Sequence, residues 1–321
     1  MNKLEYYIKY WCPPLWVVRA KLRIFSFAHF LFERYTLSDK ANVIANQPVF
    51  IIGAGRSGTT LLRSMLVASG QIAIPPETQI IHKLPARFQV HRGLGWEGLV
   101  KSLIPEFESH KHFYLWKSNL ASAYTNAMKL PKNERSLAKL IDVVYKTYAA
   151  EQFPEATFWG DQSPIHTFFL PNILSIFPNA KFVHLIRDGR DVVASLIKMN
   201  GDASLYESIY RWKESIFRVK KMRRKIKDVN YLEVKYEELV SDPETALRKV
   251  SDFIGIAYSN TMLDYWKLES TVENKVYEHH HNLQKPVFTS SIGAWKTRLT
   301  DEQQRITSHE LSGLLSELGY M

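Results

Sequence analysis

The chain holds a single cysteine, Cys12, among its 321 residues, which excludes a disulfide framework and a thiolate zinc site and fits reducing, cytoplasmic surroundings. It also lacks a long apolar run. In the basic, aromatic stretch Leu15 to Phe32, charges at Arg19, Lys21 and Arg23 leave Ile24 to Phe32 as the longest uncharged piece. That is far short of the roughly 20 residues that cross a bilayer. The stretch reads as neither a transmembrane helix nor a signal peptide. It fits an accessory helix packed on the domain, or one making a peripheral contact with a membrane surface. No internal repeat, low-complexity tract or nucleic-acid-binding module is present, so nucleic acid is not an expected partner. His279-His280-His281 comes without metal-ligand spacing, and adjacent residues do not face one point, so no metal is expected.

Present instead are an ordinary globular composition, 45% apolar and 23% charged, and an excess of base: 42 Lys and Arg against 32 Asp and Glu, a formal charge of +10. That balance suits a polyanionic ligand, an acidic substrate or an anionic surface. The most informative segment is Val49 to Leu62, an apolar strand running into a glycine-rich turn and a helix start, the arrangement that aims backbone amides at a phosphate. It fits more than one template. Gly53, Gly55 and Gly58 spell the dinucleotide-binding G-x-G-x-x-G, and Gly53 and Gly58 also spell a Walker-A loop whose lysine is replaced by Thr59. Without the lysine, γ-phosphoryl transfer is poorly supported. A Rossmann reading would use Glu77, 24 positions after Gly53, yet Leu62 stands where a small residue is wanted and Pro75-Pro76 interrupts the strand that should deliver the acid.

The rest of the chain alternates strands and helices, which predicts an α/β, P-loop-type three-layer fold with a central parallel sheet. Residues 1–46 read as a helical extension ending at Ser38-Asp39-Lys40, and 47–321 as one α/β domain. A long helical insertion is expected over about 84–155; it contains Leu137, Leu140, Ile141, Val144, Tyr148 and Ala149 at helical spacing. A second strand–turn–helix follows: Ala180 to Ile186, the polar turn Arg187 to Asp191, and a helix over Val192 to Met199. Arg187 and Ser195 can converge there on one phosphate, a guanidinium fork plus a hydroxyl. The bland alternative pairs Arg187 with Asp188 or Asp191. A basic helix is expected over Leu205 to Lys227, with Ile209, Trp212, Ile216 and Phe217 inward and nine basic residues from Arg211 onward as a solvated face. A further strand is expected from Asn230 to Lys235.

With two phosphate-type motifs on one sheet, the sequence resembles the sulfotransferases that use 3′-phosphoadenosine 5′-phosphosulfate, in the branch containing the tyrosylprotein sulfotransferases. The resemblance rests on Gly55-Arg56-Ser57-Gly58-Thr59-Thr60-Leu61, Pro76-Glu77-Thr78, the run from Phe177 to Arg190, Val234 to Leu239, Lys285-Pro286-Val287, Trp295 and Leu318-Gly319-Tyr320. It implies that Gly55, Arg56, Ser57, Gly58, Thr59 and Thr60 hold the 5′-phosphosulfate, that Arg187 and Ser195 hold the 3′-phosphate, and that Tyr236 lies against the adenine. It also implies that Glu77 is the general base toward an acceptor hydroxyl, that His279, in the loop covering the cofactor, helps stabilise the transition state, and that Lys285 helps bind the cofactor. The acceptor class, whether carbohydrate, lipid, small metabolite or tyrosine, is not implied, nor is an oligomeric state.

Two positions depart from the pattern. The family commonly carries a catalytic lysine where Trp159-Gly160-Asp161-Gln162-Ser163-Pro164 has Gln162, which leaves Lys198, His279 or Lys285 to take its role. A cation is also frequent before the carboxy-terminal tryptophan; here Ala294 precedes Trp295 and Lys296 follows it. A small-molecule kinase with an altered loop and a non-catalytic nucleotide-binding or membrane-associated protein are the competing functions.

Overall fold

The computed structural model describes residues 35–40, 44–200, 205–268 and 283–321. Most of the expected amino-terminal extension, and His279 to His281, lie outside the described residues. Residues 35–40 are not helical as expected: Thr36 forms a parallel bridge with Ser136. The Thr36 hydroxyl donates to the Ser38 carbonyl at 2.8 Å and the Asp39 carboxylate accepts from the Ile44 amide at 2.8 Å, side-chain bonds that compete with a helix.

Five parallel strands form one sheet in the order β2-β3-β1-β4-β5. They are β1 (Val49–Ile52), β2 (Ile72–Ala73), β3 (Phe158–Gln162), β4 (Lys181–Ile186) and β5 (Tyr231–Lys235). The uninterrupted apolar run of β1 is explained by its place at the centre. Phe50 and Ile52 enter the core on one face, Val49 and Ile51 the core on the other, so both pleats are covered. Strand β2 is only two residues long, because Pro75 and Pro76 cannot extend the ladder.

Helix α1 (Thr59–Val67) follows the glycine turn, and the left-handed Gly70 (φ 72°) ends the segment. Between β2 and β3 lie α2 (Leu84–His91), α3 (Gly95–Glu108), α4 (Ala121–Met128) and α5 (Leu137–Gln152). All six periodic residues of α5 are buried, and Ser136 caps its first turn through the Lys139 amide. Helix α6 (Leu170–Ile176) precedes β4.

Helix α7 spans Gly189–Asn200, three residues longer at its start than the sequence pattern gives. Asp188 acts as a cap, accepting from the Arg190 amide at 2.9 Å, and the helix begins at a glycine because Trp212 and Leu311 leave under 3.0 Å for a Cβ there. Helix α8 (Leu205–Arg223) stops short of Lys227, since Arg223 folds back to donate to the Ile226 carbonyl. Ile209, Trp212 and Ile216 are buried, whereas Phe217 is 57% exposed, contrary to its expected inward place. The chain continues through α9 (Tyr236–Ser241), α10 (Pro243–Ile254), α11 (Trp295–Arg298) and α12 (Asp301–Glu317). Among the described residues no helix is long and apolar enough to cross a membrane.

Candidate active site

The turn after β1 is held from two sides. The Thr167 hydroxyl accepts from the Gly53 amide and donates to the Gly53 carbonyl, both at 3.0 Å, while a Cβ at Gly53 would stand 2.4 Å from the Leu185 carbonyl oxygen. Arg56 is left-handed (φ 72°), a conformation that a non-glycine residue keeps only when its surroundings impose it. Gly58 (φ 92°) is the N-cap of α1 and offers no side-chain cap, so the first-turn amides of α1 have no competing oxygen from that side chain.

The second turn meets the first. Arg187, 6% exposed at the end of β4, donates to the Arg56 carbonyl at 2.9 Å and to the Ser291 carbonyl at 2.8 Å. Arg56 in turn donates from Nε to the Ser195 hydroxyl at 3.1 Å. The Arg187 guanidinium lies 4.3 Å from the centre of the Tyr236 ring, whose hydroxyl bonds that of Ser291 at 2.7 Å. That ring also sets the need for glycine in the first turn, since a Cβ at Gly58 would come within 2.5 Å of it. The bland pairing of Arg187 does not occur: Asp188 binds Arg190, and Asp191 accepts from the Gly293 and Trp295 amides at 2.8 and 2.9 Å. Burial raises the Asp191 carboxyl above its ordinary value. Burial, then the Arg187 charge, lowers the proton affinity of Arg56.

These groups surround a cavity of about 280 Å³, lined by the turn from Gly55 to Thr60 except Ser57, and by Arg187, Ser195 and Tyr236. Ser57 is buried behind it. Glu77 lies on the same wall, half-buried, and also lines a second cavity of about 270 Å³. Trp116 Nε1 pins the loop that carries it by donating to the Pro76 carbonyl at 3.0 Å, and Gln79, left-handed at φ 55°, donates to the Glu77 carboxylate at 2.8 Å. Glu77 is therefore delivered by a pinned loop, not by a strand. It does not cap the helical turn that follows, which has no side-chain cap.

Gln162, buried at the end of β3, donates to the Thr59 hydroxyl at 3.0 Å. Of the cations considered for the missing lysine, Lys198 is exposed and off the cavity wall. Lys285 is also exposed and does not line the cavity; the Tyr265 hydroxyl grips its backbone carbonyl at 2.8 Å, while Leu283 and Val287 beside it do line the wall. Lys296 stands over Trp295 instead of the cavity. The cation that the sequence pattern missed is Arg298, which lines the cavity with Phe288 and Ser291. A helical reading of the segment would have found it, because Arg298 is one turn after Ala294 (i, i+4). Among the described residues no group of three or more His, Cys, Asp or Glu side chains could hold a metal ion.

The profile described as "Sulfotransferase family" matches residues 48–260. The chain belongs to the sulfotransferase family. This sulfotransferase is 26% identical over 282 residues to the protein-tyrosine sulfotransferase 2 of Gallus gallus, covering 85% of this chain and 69% of that protein. To the protein-tyrosine sulfotransferase of Drosophila melanogaster it is 26% identical over 306 residues, with 90% and 55% covered. To an omega-hydroxy-beta-dihydromenaquinone-9 sulfotransferase of Mycobacterium bovis it is 24% identical over 258 residues, with 67% and 64% covered. Its fold is similar to the sulfotransferase domain of the Synechococcus PCC 7002 olefin synthase, with a TM-score of 0.58 at 21% identity over 86% of this chain and 98% of that domain. The sulfotransferase thus has its glycine turn, its second cationic turn and Glu77 within the matched span, whereas Phe288, Ser291 and Arg298 lie beyond it.

Proposed function

We propose that this sulfotransferase moves a sulfuryl group from 3′-phosphoadenosine 5′-phosphosulfate to an acceptor hydroxyl. The observation that carries this reading is the joining of two cationic turns on one cavity, with a carboxylate between that cavity and a second one. The residues fit such a donor. Two guanidiniums are pressed together, and the buried Arg187 Nε and Ser57 hydroxyl have no hydrogen-bond partner among the described residues, which a bound oxyanion would relieve.

When bound, the donor supplies the sulfuryl group and a 5′-phosphate leaving group. Arg56, the hydroxyls of Ser57, Thr59 and Thr60 and the amides of Gly55 to Thr60 hold its 5′ end; Arg187 and Ser195 hold the 3′-phosphate; Tyr236 faces the adenine, with Phe288 as a second apolar surface. Gln162 occupies a lone pair of Thr59, so the Thr59 proton is directed to another acceptor. Glu77 takes the proton of the acceptor hydroxyl as its oxygen bonds sulfur and the bond from sulfur to the 5′-phosphate oxygen breaks, the electron pair leaving with the bisphosphate. Charge that develops on that oxygen is met by Arg56, the Thr59 hydroxyl and Arg298, with His279 assigned from the resemblance.

The test is a thermal shift. 3′-Phosphoadenosine 5′-phosphate is expected to raise the melting temperature more than ATP or NAD does, and equal or absent shifts overturn the reading. Glu77→Gln is expected to keep that shift and to lower turnover at least about 100-fold. Gln162 in place of lysine favours one second reading, a bisphosphate-binding protein without turnover, and retained binding with no donor consumption across broad acceptor pools would establish it.

A further inference from the structure

The second cavity differs from the first in chemistry. Its buried wall is Val192, Leu196 and Trp212, and Ile165, Phe168 and Met199 line it while still partly open to water. Apolar side chains left open around a cavity favour an apolar body inside it. Its polar groups are few. Apart from Arg56 and Glu77, which face both cavities, Gln79 and Arg211 are the only polar side chains that line it among the described residues, and Gln79 already spends a donor on Glu77. A sugar would bring several hydroxyls with too few partners, each costing about 1–3 kcal/mol when buried unsatisfied.

Arg211 is the second observation. Neighbouring cations of α8 are engaged: Lys213 reaches Glu310 at 3.4 Å, Arg218 reaches Glu214 at 2.5 Å and Lys220 bonds Glu317. Among the described residues the carboxylate paired with Arg211 is that of Glu207 one turn back, and at 3.8 Å this exposed ion pair is beyond hydrogen-bond reach. A cation on the wall of a largely apolar cavity, apart from the Arg56 assigned to the donor and opposite in sign to Glu77, selects a ligand with an anion at one place and a neutral hydroxyl at another.

We infer that the acceptor is a small apolar hydroxy acid, aliphatic or aryl, whose hydroxyl faces Glu77 and whose carboxylate faces Arg211. This rests on the donor reading above for its turnover, and on the second cavity alone for its binding. At about 270 Å³ the cavity lies just below the usual range for drug-sized ligands and suits a body of one ring or a medium-length chain.

The experiment compares 8-hydroxyoctanoate with 1-octanol, 4-hydroxyphenylpropionate with 4-ethylphenol, and adds glucosamine and an acidic tyrosine peptide. Sulfuryl transfer is followed from labelled donor, and binding by calorimetry with 3′-phosphoadenosine 5′-phosphate present. Each acid is expected to exceed its neutral match at least about tenfold in kcat/KM, through KM. Arg211→Gln should shrink that ratio to within about twofold, and Lys213→Gln should preserve it. Ile165→Trp, at a half-open position that lines the second cavity and not the first, should abolish acid binding while the bisphosphate still stabilises the protein. Faster transfer to glucosamine or the peptide, or an acid preference indifferent to Arg211, overturns the inference. If the bisphosphate fails to bind, the donor reading falls, and calorimetry with the acids alone still decides the second cavity. The aliphatic and aryl pairs show which kind of body it takes.

Discussion

The two turns that meet in the first cavity are built on opposite plans. The turn after β1 is long and works through backbone: two glycines, Gly53 and Gly58, and an arginine share left-handed or near-left-handed conformations, and the amides of α1 follow directly. The turn after β4 is two residues long, and works through a side chain, Arg187, which is held by two carbonyls and a ring before any ligand arrives. A backbone cradle fails wherever a Cβ would intrude on it, as at Gly53 and Gly58. A side-chain clamp demands one residue and tolerates its neighbours, and the two plans therefore fail in different ways when changed.

The largest expected effect is Gly58→Ala. Left-handed strain and a contact with the Tyr236 ring should together cost about 3 kcal/mol and weaken bisphosphate binding, read by denaturant unfolding and calorimetry. Gly55→Ala, with nothing within 4 Å of its Cβ, should cost less than about 0.5 kcal/mol. Equal effects at the two glycines would break the backbone half of the comparison. Arg187→Ala should weaken the bisphosphate by about 2 kcal/mol, roughly thirtyfold, and Arg187→Lys should recover only part, because an ammonium cannot reach both carbonyls as a fork.

Acidification separates the turns by sign. Behind the first turn, Thr167 is flanked by His166, whose ring meets that of His82, and burial together with His166 pushes His82 down to about 4. Below its ordinary value of 6.5 the unfolded chain takes up a proton that the folded one refuses, so stability present at neutral pH is lost as pH falls from 6.5 toward 4, by about 2 kcal/mol near roughly pH 5. His82→Phe should remove that loss in urea titrations. Behind the second turn, Asp191 has its pKa raised, so it disfavours the fold as pH rises through the interval above 3.8 and is relieved as pH falls. Among the side-chain changes the smallest effect belongs to Ser195→Ala, about 1 kcal/mol in bisphosphate affinity, through loss of the hydroxyl that accepts from Arg56.

What could be read without coordinates follows from how locally each feature is specified. The glycine turn, β1, the burial of α5 and the parallel sheet all rest on residues adjacent in the chain or at helical spacing, and these held. The start of α7 did not, because Gly189 looks like a turn residue until Trp212 and Leu311 press on it. Phe217 fits an inward stripe by spacing alone, yet α8 buries only the part that faces its neighbours. In the site, Arg187, Ser195, Tyr236 and Glu77 come together as the motifs suggested, while Lys285 stays at the surface. Ser291 carries no local signal, and Arg298 only that of helical spacing from Ala294, because both reach the cavity from a segment over 100 residues beyond Arg187, placed there by Asp191 holding the Gly293 and Trp295 amides.

The Tyr236 ring has one further consequence. It occupies the space a Cβ at Gly58 would need and lies against the Arg187 guanidinium, so the three positions, distant in sequence, form a single unit of substitution. A smaller residue at 236 would make room for a side chain at 58 and loosen the arginine at once; a larger one would displace both turns. Variation at any of the three is therefore expected to be correlated with variation at the others, and a combinatorial library over positions 58, 187 and 236 should return survivors in matched sets instead of independent choices.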